Sequence, residues 1–150
     1  MCGLRYVEKE AEMIANFLAG ACLLTCAVTD IRKKMIYPLL LLPFLISGIL
    51  WQFMSRSRGV MDIAGGVFIG IVLLITSILT RGKVGAGDGM LLMVTGVLLG
   101  TLENMRLLTV ASVLTAVFSM VLLMTRRCRR DTELPFVPFL FAAFIIGHVL

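Results

Sequence analysis

Hydrophobic and polar positions alternate along this chain in long blocks. Uncharged apolar stretches occupy Met35–Ser55, Ile63–Thr80, Leu107–Thr125 and Leu134–Leu150, each about the length that crosses a hydrocarbon core of roughly 30 Å. Two more, Met13–Thr29 and Gly89–Leu102, are short and reach spanning length only if the helix also takes in Asp30 or Asp88. The pattern predicts an all-α, polytopic membrane protein, a bundle of about six transmembrane helices. Its polar connections are only a few residues long, so residues 1–12 read as a short N-terminal tail and residues 13–150 as a single transmembrane domain. The expected connections are a basic hinge at Asp30 to Pro38, turns at Ser55 to Val60 and Glu103 to Arg106, a glycine-rich loop at Arg81 to Gly89 and a basic loop at Arg126 to Glu133. Pro135 and Pro138 open the last span. Small residues four apart, at Gly66/Gly70, Gly85/Gly89 and Gly96/Gly100, predict close packing of the third and fourth spans.

Composition agrees with lipid as the solvent: 59% of the 150 residues are hydrophobic, 15% are charged, and the mean hydropathy is +1.02. The formal charge of +5 does not point to nucleic acid, because the basic residues form short clusters between apolar spans. They read as topology signals. Six spans put Arg32, Lys33, Lys34, Arg81, Lys83, Arg126, Arg127, Arg129 and Arg130 on one side and Arg5, Lys9, Arg56, Arg58 and Arg106 on the other. The richer side is expected to be cytoplasmic, in a bacterial inner or plasma membrane.

Cys2, Cys22, Cys26 and Cys128 form no CxxC pair, and no histidine stands at zinc-ligand spacing, so neither a metal nor a cofactor is expected. Cys22 and Cys26, one turn apart in the first span, read as core packing. The residues before that span are mixed in charge with net acid, unlike a cleaved signal peptide. Ala19-Gly20-Ala21-Cys22 only faintly imitates a lipoprotein site, so the first helix is expected to be retained. His148 falls at the outer end of the last span, away from the acids, and reads as interfacial.

Asp30 and Asp88 carry the candidate chemistry. A carboxylate at the centre of a membrane helix costs about 2.5–3.5 kcal/mol on insertion scales and less near an interface, so such acids usually face the bundle and act. In the expected topology Asp30 ends the first span and Asp88 begins the fourth, at the same cytoplasmic depth. Two carboxyls in one low-dielectric site cannot both ionise easily and titrate as a pair, one charged and one protonated. Such a pair can activate a water while polarising a peptide carbonyl. Two structural readings stand beside this one. Asp30 has Lys33 and Lys34 three and four residues on, a pairing along its own helix. Asp88, after Gly-Ala-Gly and before an apolar run, also looks like an ordinary N-cap.

Gly85-Ala86-Gly87-Asp88 resembles the GxGD signature of the type IV prepilin peptidase family of aspartyl membrane proteases. The likeness runs on through Gly89-Met90-Leu91-Leu92 to Gly96 and Gly100, where glycines and a leucine pair surround the acid. Thr29-Asp30-Ile31-Arg32, with Ile36, is similar to the family's first catalytic segment, and Leu134-Pro135-Phe136-Val137-Pro138-Phe139-Leu140 to its C-terminal proline-phenylalanine segment. The resemblance implies that Asp30 and Asp88 are catalytic, with Gly85, Gly87 and Gly89 supporting the motif. It also implies cleavage of a short basic leader from a prepilin-like or pseudopilin-like protein at the cytoplasmic face. The chain departs from the family pattern at Tyr37 followed by Pro38, where proline then asparagine is usual, and at Met90, where a lysine is common. The extra N-terminal segment and cysteine-rich loop of long bifunctional members are not seen, which implies peptidase activity without N-methylation.

A proton or cation relay is an alternative use of membrane acids, but both acids sit at one face and no inverted repeat halves the chain. A catalytically silent subunit of a pilus or secretion assembly is a second alternative. The topology has a direct check: a membrane-impermeant thiol reagent should label Cys128 from the cytoplasmic side only, and labelling from outside overturns the orientation.

Overall fold

The computed structural model describes residues 2–33, 38–55, 58–80, 85–124 and 136–149, and among these it places five helices and no strand. They are α1 (Cys2–Lys33), α2 (Pro38–Ser55), α3 (Val60–Leu79), α4 (Ala86–Met124) and α5 (Val137–Val149). The segment assigned to an N-terminal tail is itself helical from Cys2. Three stretches are long and apolar enough to cross a bilayer, Glu12–Ile31, Val60–Leu79 and Ala86–Met124, and two shorter apolar helices, Leu39–Met54 and Val137–Gly147, pack with them. Large apolar side chains stand outward, among them Phe17, Phe53 and Met61 at 77%, 85% and 87% exposure. Such a surface requires lipid, and the protein is a membrane protein.

The helix count is five where the apolar blocks predicted about six. The fourth and fifth expected spans run on as one element, α4, interrupted only at Gly100, where φ is 80° and ψ is −175°. Glycine adopts that conformation at no steric cost. The chain folds back there. Asn104 Nδ2 donates to the carbonyl of Leu92 at 2.9 Å, whereas a continuous helix would separate residues twelve apart by about 18 Å. The turn expected at Glu103 to Arg106 is therefore helical, and the reversal lies at Gly100.

Polar groups at this end of the bundle hold the reversal. Asp62 Oδ1 accepts the amide of Thr101 at 2.9 Å, and Thr101 Oγ1 donates to the Asp62 carbonyl at 2.6 Å. Asp62 also pairs with Arg58 at 3.4 Å. Asn104, fully buried, donates to the carbonyl of Gly66 at 3.0 Å as well as to Leu92, and accepts the Thr95 hydroxyl at 2.8 Å. One side chain thus joins α3 to both limbs of α4.

The expected close packing of the third and fourth spans is present, and α3 against α4 is the most extensive helix contact. A Cβ on Gly66 would stand 2.5 Å from the carbonyl oxygen of Gly96, and one on Gly70 would stand 2.5 Å from the amide nitrogen of Met93. Helix backbones touch here, which small residues permit in lipid. The first limb of α4 then presents Leu91, Leu92, Leu98 and Leu99 to a core shared with Leu23 of α1 and Leu140 of α5. Lys34, Tyr37, Arg56, Arg81, Lys83, Pro135 and the whole Arg126 to Glu133 loop with Cys128 lie outside the described residues.

The backbone contact predicts a graded response to added methyl groups. Gly96→Ala should destabilise the detergent-solubilised protein by about 1–3 kcal/mol, the usual cost of overpacking. Gly147→Ala, with nothing within 4 Å of the new Cβ, should be neutral. Unfolding curves for the two variants check this.

Candidate active site

Three helix ends meet at the opposite pole from the Gly100 reversal. Asp30 lies in the last turn of α1 and Asp88 in the first turn of α4, and α5 begins beside them. The two acids are 58 positions apart in sequence, yet α1 packs against α4 and the acids stand at the same pole of the bundle, within electrostatic reach of each other. Folding brings together the two residues that the sequence singled out.

Asp30 is buried, 8% exposed, and its Oδ2 accepts the backbone N–H of Val137 at 3.4 Å. The partner the structure gives it is thus on α5. Of the two lysines considered as partners, Lys34 and the side chain of Lys33 lie outside the described residues. Behind Asp30, on the same face of α1, Cys26 and Cys22 follow at one-turn intervals, both fully buried. With Leu23, Leu91, Leu92 and Val137 they form an apolar floor.

Asp88 is half-buried. Helix α4 starts at Ala86, so Gly85 holds the cap position and Asp88 is the third helical residue, its amide donating to Gly85 O at 3.1 Å. The alternative of an ordinary N-cap therefore does not describe it. The N-terminal ends of α4 and α5, both positive poles of helix dipoles, face the acid pair and offset part of the cost of charge there.

Two of the three motif glycines have visible reasons. A Cβ on Gly85 would stand 2.7 Å from Asp88 Oδ2, so a larger residue would displace that carboxyl. A Cβ on Gly89 would stand 2.9 Å from the backbone nitrogen of Leu74, so Gly89 admits α3 against the start of α4. Gly87 lies half-buried in the first turn between them. Met90 lines an apolar groove of about 480 Å³ with Leu41, Leu45, Val94 and Val97. Two residues on from Asp88, it stands about 200° around the helix, on the opposite face of α4.

The sequence reading did not single out Asp62, Asn104 or the Val137 amide. Asp62 falls one residue before an apolar stretch, and Asn104 stands among charged residues, so both resemble ordinary loop residues. A backbone donor has no letter of its own. Among the described residues no three His, Cys, Asp or Glu side chains converge on one point.

A model of the type IV leader peptidase family matches residues 17–120 of this chain, which include both acids and all three motif glycines. The C-terminal proline-phenylalanine segment lies beyond the matched region. No curated protein and no solved structure matches the chain.

The two outer glycines of the motif should separate in their effects on folding. Gly89→Ala, which meets backbone, should lower stability by about 1–3 kcal/mol. Gly85→Ala meets only a side-chain carboxyl and should leave the unfolding midpoint close to wild type. Parallel thermal melts distinguish the two.

Proposed function

The chain belongs to the type IV leader peptidase family, and from this we propose that it is an intramembrane aspartyl endopeptidase that removes the short basic leader from prepilin-like or pseudopilin-like proteins. Asp30 and Asp88 are the catalytic pair, working near the cytoplasmic face of a bacterial inner or plasma membrane. The observation that supports this reading is that two acids from distant helices, Asp30 buried and Asp88 half-buried, stand at one pole of the bundle beside its apolar core.

In this account the scissile peptide bond lies between the two acids with a water beside it. The charged carboxyl takes a proton from the water as its oxygen attacks the carbonyl carbon, and the protonated carboxyl gives its proton to the carbonyl oxygen. A tetrahedral diol results. Its collapse returns a proton to the departing nitrogen, and the C–N bond breaks. No covalent enzyme adduct is formed. The pair acts as one titrating unit, so the two roles belong to the pair as a whole.

A substrate with a cytoplasmic leader and an apolar segment in the bilayer would bring its junction to the depth of this site. Support comes from the family match, from the position of Asp30 in the last turn of α1 and Asp88 in the first turn of α4, at one pole of the bundle, and from Gly85, whose missing side chain leaves room for the Asp88 carboxyl.

Co-expression with candidate prepilins, with the leader followed by gel shift, tests the proposal. Asp30→Asn and Asp88→Asn should each reduce cleavage by about 10²–10⁴-fold, the range for loss of a positioned acid or base, while both variants still insert. Gly85→Ala should reduce cleavage without loss of inserted protein. Unchanged cleavage in either Asn variant removes that residue from the mechanism. No cleavage of any prepilin by the wild-type chain favours a silent assembly subunit, and acid-dependent proton flux into liposomes favours a transporter.

A further inference from the structure

The beginning of α5 contains more than the packing of one further apolar helix. A helix N-terminus leaves its first backbone donors without partners inside the helix, and each buried donor must be satisfied. The sequence Phe136-Val137-Pro138-Phe139-Leu140 allows a full account of these donors. Pro138 has no N–H. The amides of Phe139 and Leu140 both donate to the carbonyl of Phe136, at 3.0 and 3.2 Å. One donor is left over, the N–H of Val137, and it points to Asp30 Oδ2 at 3.4 Å.

This donor is held firmly. Val137 and Leu140 are fully buried and Ala143 nearly so, all in the core shared with α1 and α4. The Phe144 ring rests on α1 where Gly20 leaves space, with 3.1 Å between the ring and a Cβ placed there. Phe139 stacks at a tilt against Phe118 of the second limb of α4, with ring centroids 5.3 Å apart. Contacts to α1 and to the folded-back limb therefore fix where the first amide of α5 stands.

We infer that α5 is a positioning element of the acid pair: the Val137 N–H, the one uncommitted donor of its first turn, orients the Asp30 carboxyl toward Asp88. This rests on the reading of Asp30 as one of the catalytic acids. It gives a role in the site to a residue outside the region matched to the family. The role belongs to a backbone atom, and the identity of the side chain matters only for packing. Pro138 contributes by omission, since an N–H at that position would offer the carboxylate a second, competing orientation.

The test removes one hydrogen bond and keeps the helix. Proline is well tolerated at the first helical position, so Val137→Pro deletes the donor where its ring does least harm. Val137→Ala keeps the donor and trims the side chain. With purified enzyme and a prepilin substrate, Val137→Pro should lower kcat by about 10- to 100-fold, as expected for loss of a group that orients a reacting one. KM should change little, and the pH–rate profile should move. Val137→Ala should keep kcat within about threefold of wild type, and its profile should not move. If Val137→Pro does not accumulate in the membrane, an ester at this position, introduced with the α-hydroxy analogue of valine, deletes the same N–H with the side chain unchanged and should show the same loss of kcat. Wild-type kcat in the donor-deleted enzyme, or an equal loss in Val137→Ala, overturns the inference. Those results leave the proposed function standing when Asp30→Asn abolishes cleavage in the same assay; cleavage by Asp30→Asn removes the premise itself.

Discussion

A carboxyl group within a bilayer has to find its partners in the chain that carries it, because lipid supplies neither water nor counter-ions. That constraint organises this protein. Asp62 is satisfied at one pole by the Thr101 amide and Arg58. Asp30 and Asp88 lie at the other, beside the positive ends of two helices. Between the poles, among the described residues, the core is largely apolar, with Asn104 and its partners and the Gln52 Nε2 bond to the Val97 carbonyl as polar contacts between helices.

The two poles are linked by the reversal at Gly100. Because α4 folds back without a separate loop, its first limb has α3 on one side and its own second limb on another. Contact between the backbones at Gly66 and Gly96 sets the height of that limb relative to α3, and so the depth at which Asp88 emerges. The second limb carries Phe118 to α5, whose first amide meets Asp30. The acid from α1 and the acid from α4 are thus placed by elements that each touch the same hairpin.

Most of this arrangement was legible in the residues, though unevenly. Acids among long apolar runs stand out because their burial is costly, so Asp30 and Asp88 could be singled out and placed at one depth from the spacing of the spans. The glycine pairs indicated close packing of α3 on α4 for the same kind of reason, since only small residues let backbones touch. The reversal between the fourth and fifth spans was expected but placed three residues late, because a turn made by one glycine carries no polar residue of its own. The charges at Glu103 and Arg106 drew the expected turn toward themselves and hid Asn104, a buried residue that joins three helical segments. The hydrogen bond from Val137 could not be read at all, since a backbone donor depends on where a helix begins and not on which residue begins it.

The account depends on two carboxyls facing each other across the α1–α4 contact, and proximity in the native membrane tests this without reference to any substrate. Asp30→Cys and Asp88→Cys would be combined in a chain whose four native cysteines have been replaced, and the pair treated with a short bifunctional thiol reagent in membrane vesicles. The account predicts an intramolecular cross-link joining the fragments on either side of a protease site cut between the two positions. Reaction of both thiols without any such link would contradict it.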